Sequence, residues 1–121
     1  MKTTYLAAIA ACLALAGCSK GPDTAATAFT EAAGAGRTAE ALERLDPELR
    51  QVAGMKLPAA LRRAAADAEK RGGMQDVRVL ESSKADDDHA TVKLELRFGD
   101  GTVKNDVHRL RKVDGEWYVT M

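Results

Sequence analysis

Asp106 and His108 stand two residues apart in the stretch "VKNDVHRLRKV". On a β-strand, residues at i and i+2 face the same way, so the carboxylate could orient the imidazole for general acid–base work. No serine, cysteine or third ligand is tied to them by spacing. The sequence therefore favours a surface ion pair or a polar pair lining a pocket, with acid–base catalysis as the alternative. "DDDH", Asp86 to His89, carries the carboxylates and imidazole that metals prefer. It lacks the spaced oxygens and central glycine of a calcium loop, and between two strands it reads as a solvated turn. Arg62, Arg63, Lys70 and Arg71 read as a solvated helix face whose last turn complements the helix dipole. Gly34 and Gly36 precede no phosphate cradle. Neither a metal nor an organic cofactor is expected.

The remaining reactive group is the thiol of Cys18. Lys2 gives a positive start, and the 13 residues from Tyr5 to Gly17 are uncharged and rich in alanine and leucine. That run is too short to span a bilayer, which needs roughly 20 apolar residues, but it suits a secretory leader. Ala16 and Gly17 present little bulk to a peptidase, so cleavage before Cys18 is expected. "LAGC", Leu15 to Cys18, resembles the lipobox of bacterial lipoproteins. The resemblance implies a diacylglycerol on the thiol, removal of residues 1–17 and acylation of the new amino terminus. It also implies a domain held at the cell membrane and facing the periplasm, with Ser19 favouring the outer membrane over the inner. Two or more acyl chains give stable attachment where one is marginal. Cys12 lies in the discarded leader and Cys18 is consumed by lipid, so the mature chain has neither disulfide nor free thiol.

The 121 residues carry 18 basic and 18 acidic side chains, and losing Lys2 changes that balance by one. With no basic field, a nucleic-acid partner is not expected. Residues 18–22 read as the lipidated cysteine and a short tether, and residues 23–121 as one domain, large enough to bury roughly two thirds of its unfolded surface.

The elements that must position these side chains follow from periodicity. After Pro22, residues Ala25, Ala28, Phe29, Ala32 and Ala33 form one apolar stripe of a helix. "GAGR" breaks it and Thr38 is placed to cap the next. Leu42, Leu45, Leu49 and Val52 suggest a second helical stretch interrupted at Pro47. A third places Leu57, Leu61, Ala64, Ala65 and Ala68 on one face and stops at Gly72 and Gly73. The period then becomes two. Ala90, Val92, Leu94, Leu96 and Phe98 alternate with Thr91, Lys93, Glu95 and Arg97, the pattern of a half-buried antiparallel strand. "GDGT" and Asp114-Gly115 mark hairpin turns. Val103 and Leu110, seven apart, would face opposite sides of a regular strand, so a bulge is expected between Asp106 and His108. Helices followed by a meander of about four strands define an α+β fold with the helices on one face of the sheet. Trp117 is expected in the core.

This order, with "PDTAATAF" opening a helix and "DGEWYV" closing the chain, resembles small bacterial lipoproteins with a cystatin-like, nuclear transport factor two-like domain. The resemblance implies a curved sheet around helices, often with a cleft. It implies no single activity, because the fold hosts enzymes and binding modules alike. The expectation is a non-catalytic module for a small ligand or an envelope protein, the alternative a cleft enzyme using Asp106 and His108. A monomer is expected, since Thr91, Lys93, Glu95 and Arg97 make the outer sheet face costly to bury.

Cys18→Ala should release the protein from membranes without unfolding it, because anchor and core share no residues. Fractionation tests this. A variant still in the membrane pellet after a high-salt wash would refute lipid attachment.

Overall fold

The computed structural model describes residues 21–120. Four helices come first: α1 (Pro22–Gly34), α2 (Thr38–Glu43), α3 (Pro47–Ala53) and α4 (Leu57–Lys70). Four strands follow as an antiparallel meander: β1 (Met74–Asp86), β2 (His89–Phe98), β3 (Val103–Val113) and β4 (Glu116–Thr120), paired in sequence order. The α+β architecture expected from the change of period is the one observed.

Pro22 opens α1, where its fixed φ suits the helix and its missing N–H would have had no partner. Ala25, Ala26, Phe29, Ala32 and Ala33 are buried, and the small side chains let the helix lie close on the sheet. The Ser82 hydroxyl of β1 donates to Asp23 in the first turn. At the other end Gly36 takes φ +79° and the Arg37 N–H donates to the Ala32 carbonyl at 2.9 Å. That closure carries the chain directly into α2. Thr38 is consequently the first helical residue and makes no capping bond, contrary to the sequence expectation.

The leucine stripe also does not continue through Pro47. Leu45 leaves the helix and forms a parallel bridge with Val119. The Asp46 N–H donates to the Val119 carbonyl at 2.8 Å, and the Val119 N–H donates to the Arg44 carbonyl at 2.9 Å. Leu45 is 1% exposed, whereas Val52, on the far side of the proline, is 82% exposed. Asp46 holds this crossing in place. Its carboxylate accepts the Glu48 N–H at 2.9 Å, capping α3, and receives Nε and Nη2 of Arg111 at 2.7 Å each. The Arg111 bond in particular holds the Asp46 carboxyl below its ordinary 3.8, against the opposing effect of burial.

In β2 the alternation is as expected: Ala90, Val92, Leu94, Leu96 and Phe98 are all buried. The expected bulge in β3 is absent. β2 and β3 pair without a break from His89 opposite Arg111 to Arg97 opposite Val103. Leu110 is 1% exposed and Val103 is 48% exposed, so the two valine and leucine positions do face opposite sides and the valine is the one left outside. The register shifts lie in β1, between Met74 and Asp76, Val79 and Glu81, and Lys84 and Asp86. The second hairpin closes at Gly99. A Cβ there would overlap the Gly72 carbonyl oxygen, because the α4 terminus docks backbone to backbone on the turn.

Asp46→Ala should lower the unfolding free energy by about 2 kcal/mol, through loss of a cap and of charge-assisted hydrogen bonds. Asp46→Asn, which keeps an acceptor for the cap, should cost less. Urea denaturation checks both. Equal losses for the two variants would show that the charge contributes nothing.

Candidate functional site

The unbroken β3 ladder decides where the polar pair goes. With Leu110 inside, residues 104, 106 and 108 lie on the same inward face. Asp106 and His108 therefore stand on the sheet face that β2 fills with Leu94 and Val92, their direct cross-strand partners. Both line a cavity of about 240 Å³ between the sheet and helices α1 and α4. Its apolar wall includes Phe29, Leu57, Leu61, Leu96 and Phe98, and its polar groups are Thr30, Asp67, Lys104, Asp106 and His108. Two larger depressions, of about 600 and 610 Å³, lie at the C-terminal end of α1 and beside the β3–β4 turn, and neither contains the polar pair.

His108 is held on two sides. Its ring meets Phe29 edge-on, with centroids 5.5 Å apart and planes at 84°, a geometry favoured by the ring quadrupole. Its Nε2 lies 3.3 Å from Thr30 Oγ1. The Thr30 hydroxyl donates its single proton to the Ala26 carbonyl at 2.8 Å, so toward the imidazole it accepts. The hydrogen bonds thus assign the Nε2–H tautomer, which leaves the lone pair on Nδ1. Burial pushes the imidazole below its ordinary 6.5, and the charge of Asp106 pulls it partly back. At neutral pH the side chain is an uncharged base beside a carboxylate.

The spacing singled out Asp106 and His108, and the structure brings them to one cavity. Thr30, Phe29, Asp67 and Lys104 were missed. Lys104 could have been found, since once Leu110 is taken as inward the same alternation includes it. Thr30 could not, because its role depends on how α1 lies across β3. The remaining candidates disperse. Asp86 to His89 forms the β1–β2 hairpin, where the Asp86 carboxylate takes the Asp88 N–H at 2.8 Å and His89 Nδ1 at 2.9 Å. Trp117 is 8% exposed, with the ammonium groups of Lys84 and Lys112 each 5.8 Å from its ring centre. The leader expected at residues 1–17 and the expected lipid site at Cys18 lie outside the described residues. No described helix is long and apolar enough to cross a membrane.

The four-stranded meander with helices on one face and a cleft between them is consistent with an NTF2-like fold, and solved structures share it. A Campylobacter jejuni protein provisionally named an NTF2-like transpeptidase superposes with a TM-score of 0.68 at 22% identity, over 77% of this chain and 91% of that one. A SEC-C motif-containing protein from Rhodopseudomonas palustris gives 0.62 at 21% identity, over 85% and 77%. Residues 16–120 match the domain of unknown function DUF4878, and the chain belongs to that family. No curated protein matches it significantly.

The lowered His108 value gives stability a sign with pH. Above pH 6.5 the imidazole is neutral in both folded and unfolded chains. Below that value the unfolded chain takes the proton first, so folding loses stability as the pH falls toward the lowered folded value. The urea midpoint of wild type should therefore drop on going from about pH 7 to about pH 5, and His108→Gln should flatten that drop. An equal slope in both proteins would remove His108 from the account.

Proposed function

We propose that this chain is a membrane-anchored cell-envelope lipoprotein whose cleft binds a small ligand without transforming it. The supporting observation is the cavity itself, an apolar pocket with a few convergent polar groups at a helix–sheet junction, the usual form of a small-molecule site. At about 240 Å³ it suits a compact ligand. An apolar body would lie against Phe29, Leu57 and Leu61, and a polar end would meet Lys104, Asp106 and His108. Anchoring rests on the lipobox-like "LAGC" and the leader ahead of it.

A second reading has one observation in its favour: Asp106 and His108 share the cavity, as an acid–base pair must. The provisional transpeptidase name of the Campylobacter jejuni relative raises acyl transfer as the chemistry in question. That chemistry needs a nucleophile, and no serine or cysteine is among the residues lining the cavity. The Thr30 hydroxyl is bonded to the Ala26 carbonyl. Binding is therefore the better-supported function.

Ala64, at the rim of the cavity, gives a test that leaves the polar groups in place. Medium-chain fatty acids and their alcohols, titrated by calorimetry, should bind wild type at one site, and Ala64→Trp should abolish that binding while keeping the far-ultraviolet spectrum. No binding by wild type, or binding that Ala64→Trp leaves intact, would overturn the cleft reading. Turnover of envelope-derived esters or peptides by wild type, lost in His108→Ala, would establish the enzyme instead.

A further inference from the structure

β4 covers only part of β3. Its last described pairing is Thr120 opposite Arg109, so residues 103–108 have no neighbour on that side among the described residues. The direction of their backbone groups follows from bonds elsewhere. Val119 gives its N–H and C=O to the Leu45 segment, so it faces away from β3, and Leu110 opposite it turns its own groups toward β2. Alternation then sends the groups of His108, Asp106 and Lys104 to β2, and the Phe98 N–H bond to the Thr102 carbonyl continues that ladder. The N–H and C=O of Val103, Asn105 and Val107 face the open side.

The other edges of the sheet are guarded. β1 is interrupted by three register shifts, and β4 is covered at Val119 by Leu45. Such devices keep sheets from pairing edge to edge. The open stretch of β3 has no shift against β2 and no proline, and it exposes Val103 at 48% and Val107 at 58%. Lys104 and Asp106 form no ion pair among the described residues.

The open stretch reads Val-Lys-Asn-Asp-Val, a palindrome in which charge is reversed about the centre. We propose that this edge pairs antiparallel with the same edge of a second copy, about a two-fold axis through Asn105, so that one sheet runs across both subunits. In that register Val103 lies opposite the partner's Val107, Lys104 opposite the partner's Asp106, and Asn105 opposite the partner's Asn105. The three outward-turned residues become hydrogen-bonded pairs. The charges fall at the non-hydrogen-bonded sites, where cross-strand side chains approach most closely. Moving the register by two residues would set Lys104 against the partner's Lys104, or Asp106 against the partner's Asp106. Moving it by one would turn the backbone groups away from each other. Sequence and strand geometry therefore select a single alignment.

β4 and the turn before Val103 confine the pairing to five residues, so the dimer should form reversibly with concentration. The charged outer face of β2, on which the expectation of a monomer rests, stays in solvent. Lys104 and Asp106 also line the cleft, so ligand and partner share these two side chains, whereas the backbone groups of Val103, Asn105 and Val107 that make the pairing lie outside it.

Sedimentation of the full chain in detergent, from about 5 to about 500 µM, should show the mass rising toward that of a dimer. Lys104→Asp and Asp106→Lys each set like charges opposite one another and should weaken the dimer by about tenfold or more. The double variant Lys104→Asp/Asp106→Lys restores opposite charges and should recover it. In wild type, the amides of Asn105 and Val107 should exchange more slowly at the high concentration than at the low one. A monomer throughout, a dimer indifferent to either single reversal, or no recovery in the double variant would overturn the proposal. Should a charge variant fail to fold, concentration-independent exchange at Asn105 and Val107 in wild type would overturn it alone.

Discussion

The Asp46 carboxylate is the point on which the two layers of this domain depend. It lies 3% exposed where the helical half crosses the far edge of the sheet, and a group there needs its charge compensated to remain buried. Arg111 supplies the compensation from β3, 65 residues away in sequence, while the Glu48 N–H and the Asp46 backbone bond to Val119 fix the chain on either side. One consequence is that Leu45 is driven into the core and becomes part of the cleft wall. Another is that β4, only five residues long, gains a neighbour on its outer edge. The linker between α2 and α3 thus works as a structural element although it is neither helix nor strand.

Polar groups on an inward sheet face are normally a liability, and three of them occur in succession on β3. Their placement limits the cost. Lys104 and Asp106 stand where β4 has already ended, so solvent reaches them. His108, one step deeper, is the one that has lost most of its solvent, and it is the one with a hydrogen-bond partner and an aromatic contact. Burial and partnering increase together along the strand toward Leu110. An imidazole kept neutral this way adds a polar group to the cavity lining without adding a further charge.

Much of this fold could be read from the order of residues because the signals were local. The alternation of β2, the Asp114-Gly115 turn with φ of 50° and 82°, and the double glycine that ends α4 each act within a few residues of themselves. What was misread depended on distant partners. Thr38 looked like a cap, but Gly36 and Arg37 had already closed the preceding helix. Leu45 looked helical until Val119 claimed it. Val103 looked like core because it is valine, and the demand that it be buried with Leu110 produced a bulge that β3 does not have. For the site, the i, i+2 spacing placed Asp106 and His108 on one face, but which face was decided by Leu110. The cleft itself arises from α1 and α4 crossing that face, and crossing geometry leaves no trace in local spacing.

The residue through which the chain enters the domain, Gly21, lines the same surface depression as Gly115 and Trp117, at the β3–β4 turn. The cleft draws on the other half of α1, from Phe29 to Gly34, and on the Met74 and Phe98 end of the sheet. At about 1.5 Å per helical residue, α1 separates the two by roughly 12 to 20 Å. The described chain therefore starts beside the β3–β4 turn, at the end of α1 that the cleft does not use. The cleft lining on α1 thus begins about two helical turns beyond the point of entry, at Phe29.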